Sequence, residues 1–291
     1  MTYTLQNNRL TVQIAQRGAE LLSVTAHDGC QYLWQGDPRY WGDRAPWLFP
    51  VCGRIFEGCY TYRNNTYDMQ IHGFVRHCLF RAEAATSDTL VLSFTANEET
   101  RTVFPFDFTF TVTYRLSESQ LMVDLSVTNH SAATLPFSMG AHPGFCAPIN
   151  GKGVFEDCYL EFDSSHIPNK LLFTERLLLS GERIPYPLRE GRFIDLTRDF
   201  FAEDATFLAE TCGAVTLRSR QDPHFVRVEY PAFAYVGFWT RCYAGADYVC
   251  IEPWSGLPSL DGAVEDLETK PDMYHLPSGE QKNLALKLIF G

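Results

Sequence analysis

Four places in the 291-residue chain set a titratable or cationic side chain among glycine, proline and aromatic residues. They are "FPVCGRIFEG" around Arg54, "QIHGFVRH" around His72 and Arg76, "MGAHPGF" around His142, and "CIEPWSG" around Glu252. Each lies at or near the end of an apolar segment, where a strand gives way to a loop and a rigid scaffold can hold a functional group. One carboxylate, two imidazoles and a guanidinium, with no serine or cysteine in a recognisable nucleophile motif, are equipment for general acid–base chemistry. The aromatics nearby, Phe74, Phe145, Trp239 and Trp254, suit the apolar faces of a pyranose ring, and the polar groups suit its hydroxyls. The combination points to a sugar site.

Each of these residues also has a plainer explanation. His72 reads equally as a core histidine donating to a backbone carbonyl, and Arg54 as a surface arginine or an ion-pair partner. Glu252 could be a strand-end carboxylate that merely neighbours Trp254. His142 precedes Pro143, which biases it to extended geometry, and Gly140 and Gly144 around it suggest a tight loop. His27, His77, His130, His166, His224 and His275 sit in polar or turn contexts and receive no role.

The elements that must position these groups read as strands. Leu10, Val12 and Ile14 alternate with polar residues, as do Phe106, Phe108, Phe110, Val112, Tyr114 and Leu116. After the turn-like "SESQ" the pattern resumes at Leu121, Val123, Leu125 and Val127, which predicts a hairpin. Val226, Val228 and Tyr230 repeat it, and Leu284, Leu286, Leu288 and Phe290 close the chain. The one helical nomination is Thr197–Asp204, one or two turns with Thr197 as N-cap. No fixed-period repeat, low-complexity tract or linker divides the sequence. The expectation is one all-β domain over residues 1–291, a sandwich in preference to a barrel.

Bulk composition narrows the partners. A net charge of -11 and the absence of any basic cluster argue against a nucleic-acid surface. No apolar run approaches 18 residues and the first residues lack a signal-peptide pattern, so a cytoplasmic protein without a membrane span is expected. The nine cysteines contain no C-x-x-C pair. They are expected to be free buried thiols rather than a zinc site or disulfide framework.

"APWLFPVCGRIFEGCYTYRNNTYDMQIHGFVRH", "GAHPGF", "CIEPWSGLP" and "HLPSGEQKNLALKLIF", in this order, resemble the aldose 1-epimerase (galactose mutarotase) family, and its LacX-like branch in particular. The resemblance implies an antiparallel β-supersandwich and a cofactor- and metal-independent isomerase. It implies Glu252 as the general base that takes the proton from the anomeric hydroxyl, and His142 as the general acid that protonates the ring oxygen. His72 and Arg54 correspond to sugar-hydroxyl ligands. The family's sugar-binding aspartate is matched loosely by Asp204 in "FFAEDATFL", where an exposed capping role fits equally. The substrate implied is a free aldohexose such as galactose or glucose. A hexose 6-phosphate would need cations such as Arg76, Arg44 or Arg241, and the sequence shows no arginine cluster. A sugar-binding or regulatory module that retains the scaffold without turnover is the remaining alternative.

Overall fold

The computed structural model of the chain describes residues 1–241 and 245–291. Alternation of apolar and polar residues becomes strand pairing where it was expected. Phe108–Ser117 and Gln120–Asn129 form a hairpin in which Phe110 faces Val127, Val112 faces Leu125 and Tyr114 faces Val123. Glu118 turns the chain with a φ of 50°, the left-handed conformation that tight hairpin turns use. The last strand, Gln281–Phe290, lies against Gln120–Asn129 and pairs Leu284, Leu286 and Leu288 with Leu125, Val123 and Leu121.

These strands belong to a nine-stranded sheet. An eight-stranded sheet packs against it, and both are antiparallel, giving the β-supersandwich. The main apolar core lies between them. Val236, Phe238, Val249 and Ile251 of the eight-stranded sheet join Val123, Leu125 and Leu286 of the other. Smaller sheets of three, two and two strands complete the β structure.

The eight-stranded sheet is covered on its other side too. Side chains alternate across a strand, so in Tyr248–Trp254 the residues Val249 and Ile251 enter the main core, while Tyr248, Cys250, Glu252 and Trp254 turn to the opposite face. There Tyr248 and Cys250 cluster with Trp34, Trp41 and Trp239, and Trp254 with Phe207 and Leu171. Glu252 thus stands on a second, smaller buried surface between two aromatic clusters.

Helices are few, as expected, but not where expected. The α-helix is Glu98–Val103, fixed by a capping box in which Asn97 Oδ1 accepts from the Thr100 amide at 2.9 Å and Thr100 Oγ1 from the Asn97 amide at 3.0 Å. Thr197–Asp204 yields only a 3-10 turn, Asp199–Phe201, with Thr197 Oγ1 accepting from the Phe200 amide. Eight cysteines are free, but only Cys30, Cys52, Cys158 and Cys250 are buried. Cys59, Cys78 and Cys146 are half-buried and Cys212 is exposed, which corrects the uniform burial expected of them. The ninth, Cys242, lies outside the described residues. Among the described residues no helix is long and apolar enough to cross a membrane.

Candidate active site

A cavity of about 300 Å³ opens on the second face of the eight-stranded sheet, near the lower end of the size range of small-molecule sites. Seven of the nominated residues line it: Glu252, His142, Arg54, His72, Asp204, Trp239 and Trp254.

Glu252 comes from the middle of a strand whose seven residues are all buried, and it is 1% exposed. Across the ladder it faces Gly237. A Cβ at Gly237 would lie 2.4 Å from the ring of Phe207, so glycine is what lets that ring cross the sheet to meet Trp254 at 4.2 Å. Burial first, and the neighbouring Asp204 carboxylate second, push the Glu252 pKa well above the ordinary carboxylate value. Trp254 shares the cavity face. Pro253 does not, because the next residue of a strand turns to the other side.

His142 follows the short strand Gly140–Ala141, which bridges Leu48 on one side and Trp254 on the other. Its amide donates to Pro46 O at 3.1 Å, and the carbonyl of Pro143 accepts from Ile251 N, so the "HP" pair is anchored to both neighbours. His142 Nε2 stands 3.2 Å from Glu252 Oε2. Burial pushes the imidazole down to about 3. Burial therefore favours the neutral form of both groups, and one proton shared across the 3.2 Å contact satisfies both. Glu252 Oε1 and His142 Nδ1 are buried without a hydrogen-bond partner, as is Trp254 Nε1.

His72 has a φ of 66° and is followed by Gly73, also left-handed, whose Cβ would fall 2.1 Å from Phe49 O. Only glycine fits that approach. The turn aims the imidazole at the cavity, and Nδ1 accepts from the Gly53 amide at 3.1 Å. Burial, then the charges of His142, Arg76 and Arg54, hold His72 neutral. With Nδ1 as acceptor, its proton sits on Nε2, which makes that atom a donor. Arg54 is exposed where the cavity opens. Asp204 is not an exposed cap. It has a φ of 77° and lines the cavity, its Oδ1 accepting from Trp239 Nε1 at 2.8 Å.

Two nominated aromatics are elsewhere. Phe74 is buried against Phe49, Phe104 and Phe108. Phe145 pairs with Val249 and follows it into the main core, so strand alternation carries its ring away from the sugar site. Arg76 and Arg241 do line the cavity, but Arg44 does not: its guanidinium donates to Leu22 O at 2.9 Å. Arg76 lies 3.6 Å from Asp43. Sequence reasoning missed Trp41, Asp43 and Phe207. Trp41 sits 5.0 Å from His142 and 5.6 Å from Trp239, ring to ring. The cluster of tryptophans and tyrosines in "YLWQGDPRYWG" was the available signal, though nothing local says which ring reaches the cavity.

The model of the aldose 1-epimerase family matches residues 1–265. The plasmid-encoded and chromosomal forms of protein LacX from Lactococcus lactis subsp. lactis are 34% identical over 283 residues, which is 94% of this chain and 94% of theirs. Among solved structures, a galactose mutarotase related enzyme from Lactobacillus acidophilus is 34% identical with a TM-score of 0.96, covering 100% of this chain and 97% of that one. A galactose mutarotase-like protein from Lactobacillus casei ATCC 334 is 30% identical with a TM-score of 0.94, covering 100% of both.

Proposed function

The chain belongs to the aldose 1-epimerase family, and from that premise we propose that it interconverts the α and β anomers of a free aldohexose such as galactose or glucose. The observation that carries the reading is the His142–Glu252 pair, 3.2 Å apart in a cavity lined by donors and indole rings. The two oxygens whose protonation changes in mutarotation, the anomeric hydroxyl and the ring oxygen, are bonded to the same carbon. An acid and a base that nearly touch can reach both at once. Opening the ring takes one proton off the first oxygen and puts one on the second, and closing reverses this. A pair that holds a single proton between its members does so without drawing on solvent.

In this mechanism Glu252 takes the anomeric proton while His142, carrying the proton of the pair, delivers its own to the ring oxygen. The C1–O5 bond breaks, the aldehyde rotates about C1–C2, and reclosure yields the other anomer. Each positioned group contributes on the order of 10²–10⁴-fold. His72 Nε2–H, Trp254 Nε1–H, Arg54 and Asp204 bind the remaining hydroxyls, and Trp239 and Trp41 flank the ring. No cofactor is called for by these steps.

A second reading is favoured by Arg54, Arg76 and Arg241, which the fold gathers around one cavity although they are scattered in sequence. These cations suit a 6-phosphate. Polarimetry with galactose, glucose and their 6-phosphates separates the readings. Faster mutarotation of the free sugars, unaffected by inorganic phosphate, supports the first; acceleration restricted to the phosphates, with phosphate inhibiting, replaces it with the second.

A further inference from the structure

We propose that His142, Glu252 and Cys250 form a binding site for a thiophilic divalent cation such as Zn²⁺ or Cd²⁺, entered from the sugar cavity. Cys250 precedes Glu252 by two residues in the same strand and so shares its face. Its sulfur, an imidazole nitrogen of His142 and a carboxylate oxygen of Glu252 all lie within 4.8 Å of one another, and all three residues are buried. This is a mixed sulfur, nitrogen and oxygen set, which selects zinc-like cations over magnesium or calcium.

The spacing suits tetrahedral coordination. Two metal bonds of about 2.0 Å at the tetrahedral angle subtend about 3.3 Å, and His142 Nε2 and Glu252 Oε2 are 3.2 Å apart. The sulfur needs to stand about 3.6 Å from each partner, and it already lies within 4.8 Å of an imidazole nitrogen and a carboxylate oxygen of the two residues. Glu252 Oε1 is buried with no hydrogen-bond partner, so the carboxylate has a second oxygen free for the cation, while His142 Nδ1 points away from the ion that Nε2 would hold. His142 and Glu252 line the cavity, which gives a cation its way in, whereas Cys250 is fully buried and is not part of that lining.

Binding needs a thiolate, a carboxylate and a neutral imidazole. One proton leaves Cys250 and one leaves the His142–Glu252 pair, so a divalent cation enters a site of matching charge and affinity rises with pH. The cation would occupy the pair proposed to move the sugar's proton, which makes it an inhibitor competitive with sugar. Only that consequence rests on the epimerase reading; binding does not.

Titration with Cd²⁺, followed by the ultraviolet sulfur-to-cadmium charge-transfer band in a weakly buffered solution, tests the site. The expected result is a band saturating at about one equivalent with about two protons released. It should be unchanged in Cys212→Ser, which removes the exposed thiol, and absent in Cys250→Ser. Glu252→Gln should keep the band, weaken affinity at least about tenfold and release about one proton. No band in the wild-type protein, or an undiminished band in Cys250→Ser, would overturn the proposal. Should Cys250→Ser not fold, unaltered affinity and proton release in Glu252→Gln would do so. The band requires no turnover: cadmium binding without anomer exchange would remove the epimerase reading and leave the cation site, and the converse would do the reverse.

Discussion

Glu252 and His142 hold opposite duties in the proposed reaction, yet burial penalises charge on both. Their pH dependence is therefore that of a pair. A second proton is added only near His142's depressed value of about 3, and the last is lost above the ordinary carboxylate range. We predict that kcat/KM stays level as pH falls through about 6.5, where an ordinary histidine would titrate. A limb there would mean that an exposed imidazole governs the rate. Asp204 raises the Glu252 pKa by like-charge repulsion, so removing its charge must lower it. Asp204→Asn, which keeps an acceptor for Trp239 Nε1, is expected to shift the alkaline limb of kcat/KM to lower pH and weaken sugar binding. An unmoved limb with unchanged KM would separate Asp204 from the site. Residue types were the legible part of this chemistry, because a carboxylate beside Pro253 and Trp254 is conspicuous in one dimension. The 3.2 Å contact was not, since Glu252 and His142 are 110 positions apart in sequence and meet only through the sheet.

The strand Tyr248–Trp254 sets how those groups meet, and its sequence hides how. Strands with one wet face advertise themselves by alternation, as Phe108–Ser117 and Gln281–Phe290 do. In "YVCIEPW" both faces are buried, so no polar residue marks which side is which. For the same reason Phe145 looked like a sugar platform and proved to be core, as did Phe74 from the turn before the 3-10 segment Val75–His77. Trp41, from an irregular loop, proved to be a cavity wall. The short helix Glu98–Val103 rests on Asn97 and Thr100, a capping pair weaker to the eye than one closed by glutamate. Gly237 offers the test at this scale. A methyl group there meets the Phe207 ring at 2.4 Å, and that ring packs on Trp254. Gly237→Ala should cost about 1–3 kcal/mol of stability by overpacking and raise KM. Adding Phe207→Leu should restore part of the stability, as read by thermal and denaturant melts. A neutral Gly237→Ala would contradict the packing described.

At the scale of the whole molecule, antiparallel β architecture was legible because its turns and long alternating strands are local signals. The sheet order was not, because it pairs residues such as Leu121 and Leu288 from distant parts of the chain. Far from the cavity, His224 ties three segments together: Nδ1 meets Asp222, Nε2 meets Asp28 at 3.0 Å, and Lys152 reaches Asp222 at 2.9 Å. Burial opposes the imidazolium, but hydrogen bonds to Asp222 and Asp28 outweigh it and raise its pKa. A raised histidine contributes stability that is complete below the unfolded value of about 6.5 and is lost as pH rises through the folded one. The melting temperature of the wild-type protein should therefore exceed that of His224→Asn most at acidic pH, with the gap narrowing above neutrality. A gap independent of pH would show that packing, not charge, is what His224 supplies. Whether this scaffold turns over a sugar through Glu252 is decided by NMR exchange between the α and β anomers of galactose and glucose. Wild type and Glu252→Gln would be measured side by side against spontaneous mutarotation. Acceleration by the wild type is expected, with a loss on the order of 10²–10⁴-fold in the variant; equal acceleration by both proteins, or by neither, would rule out Glu252 as the base.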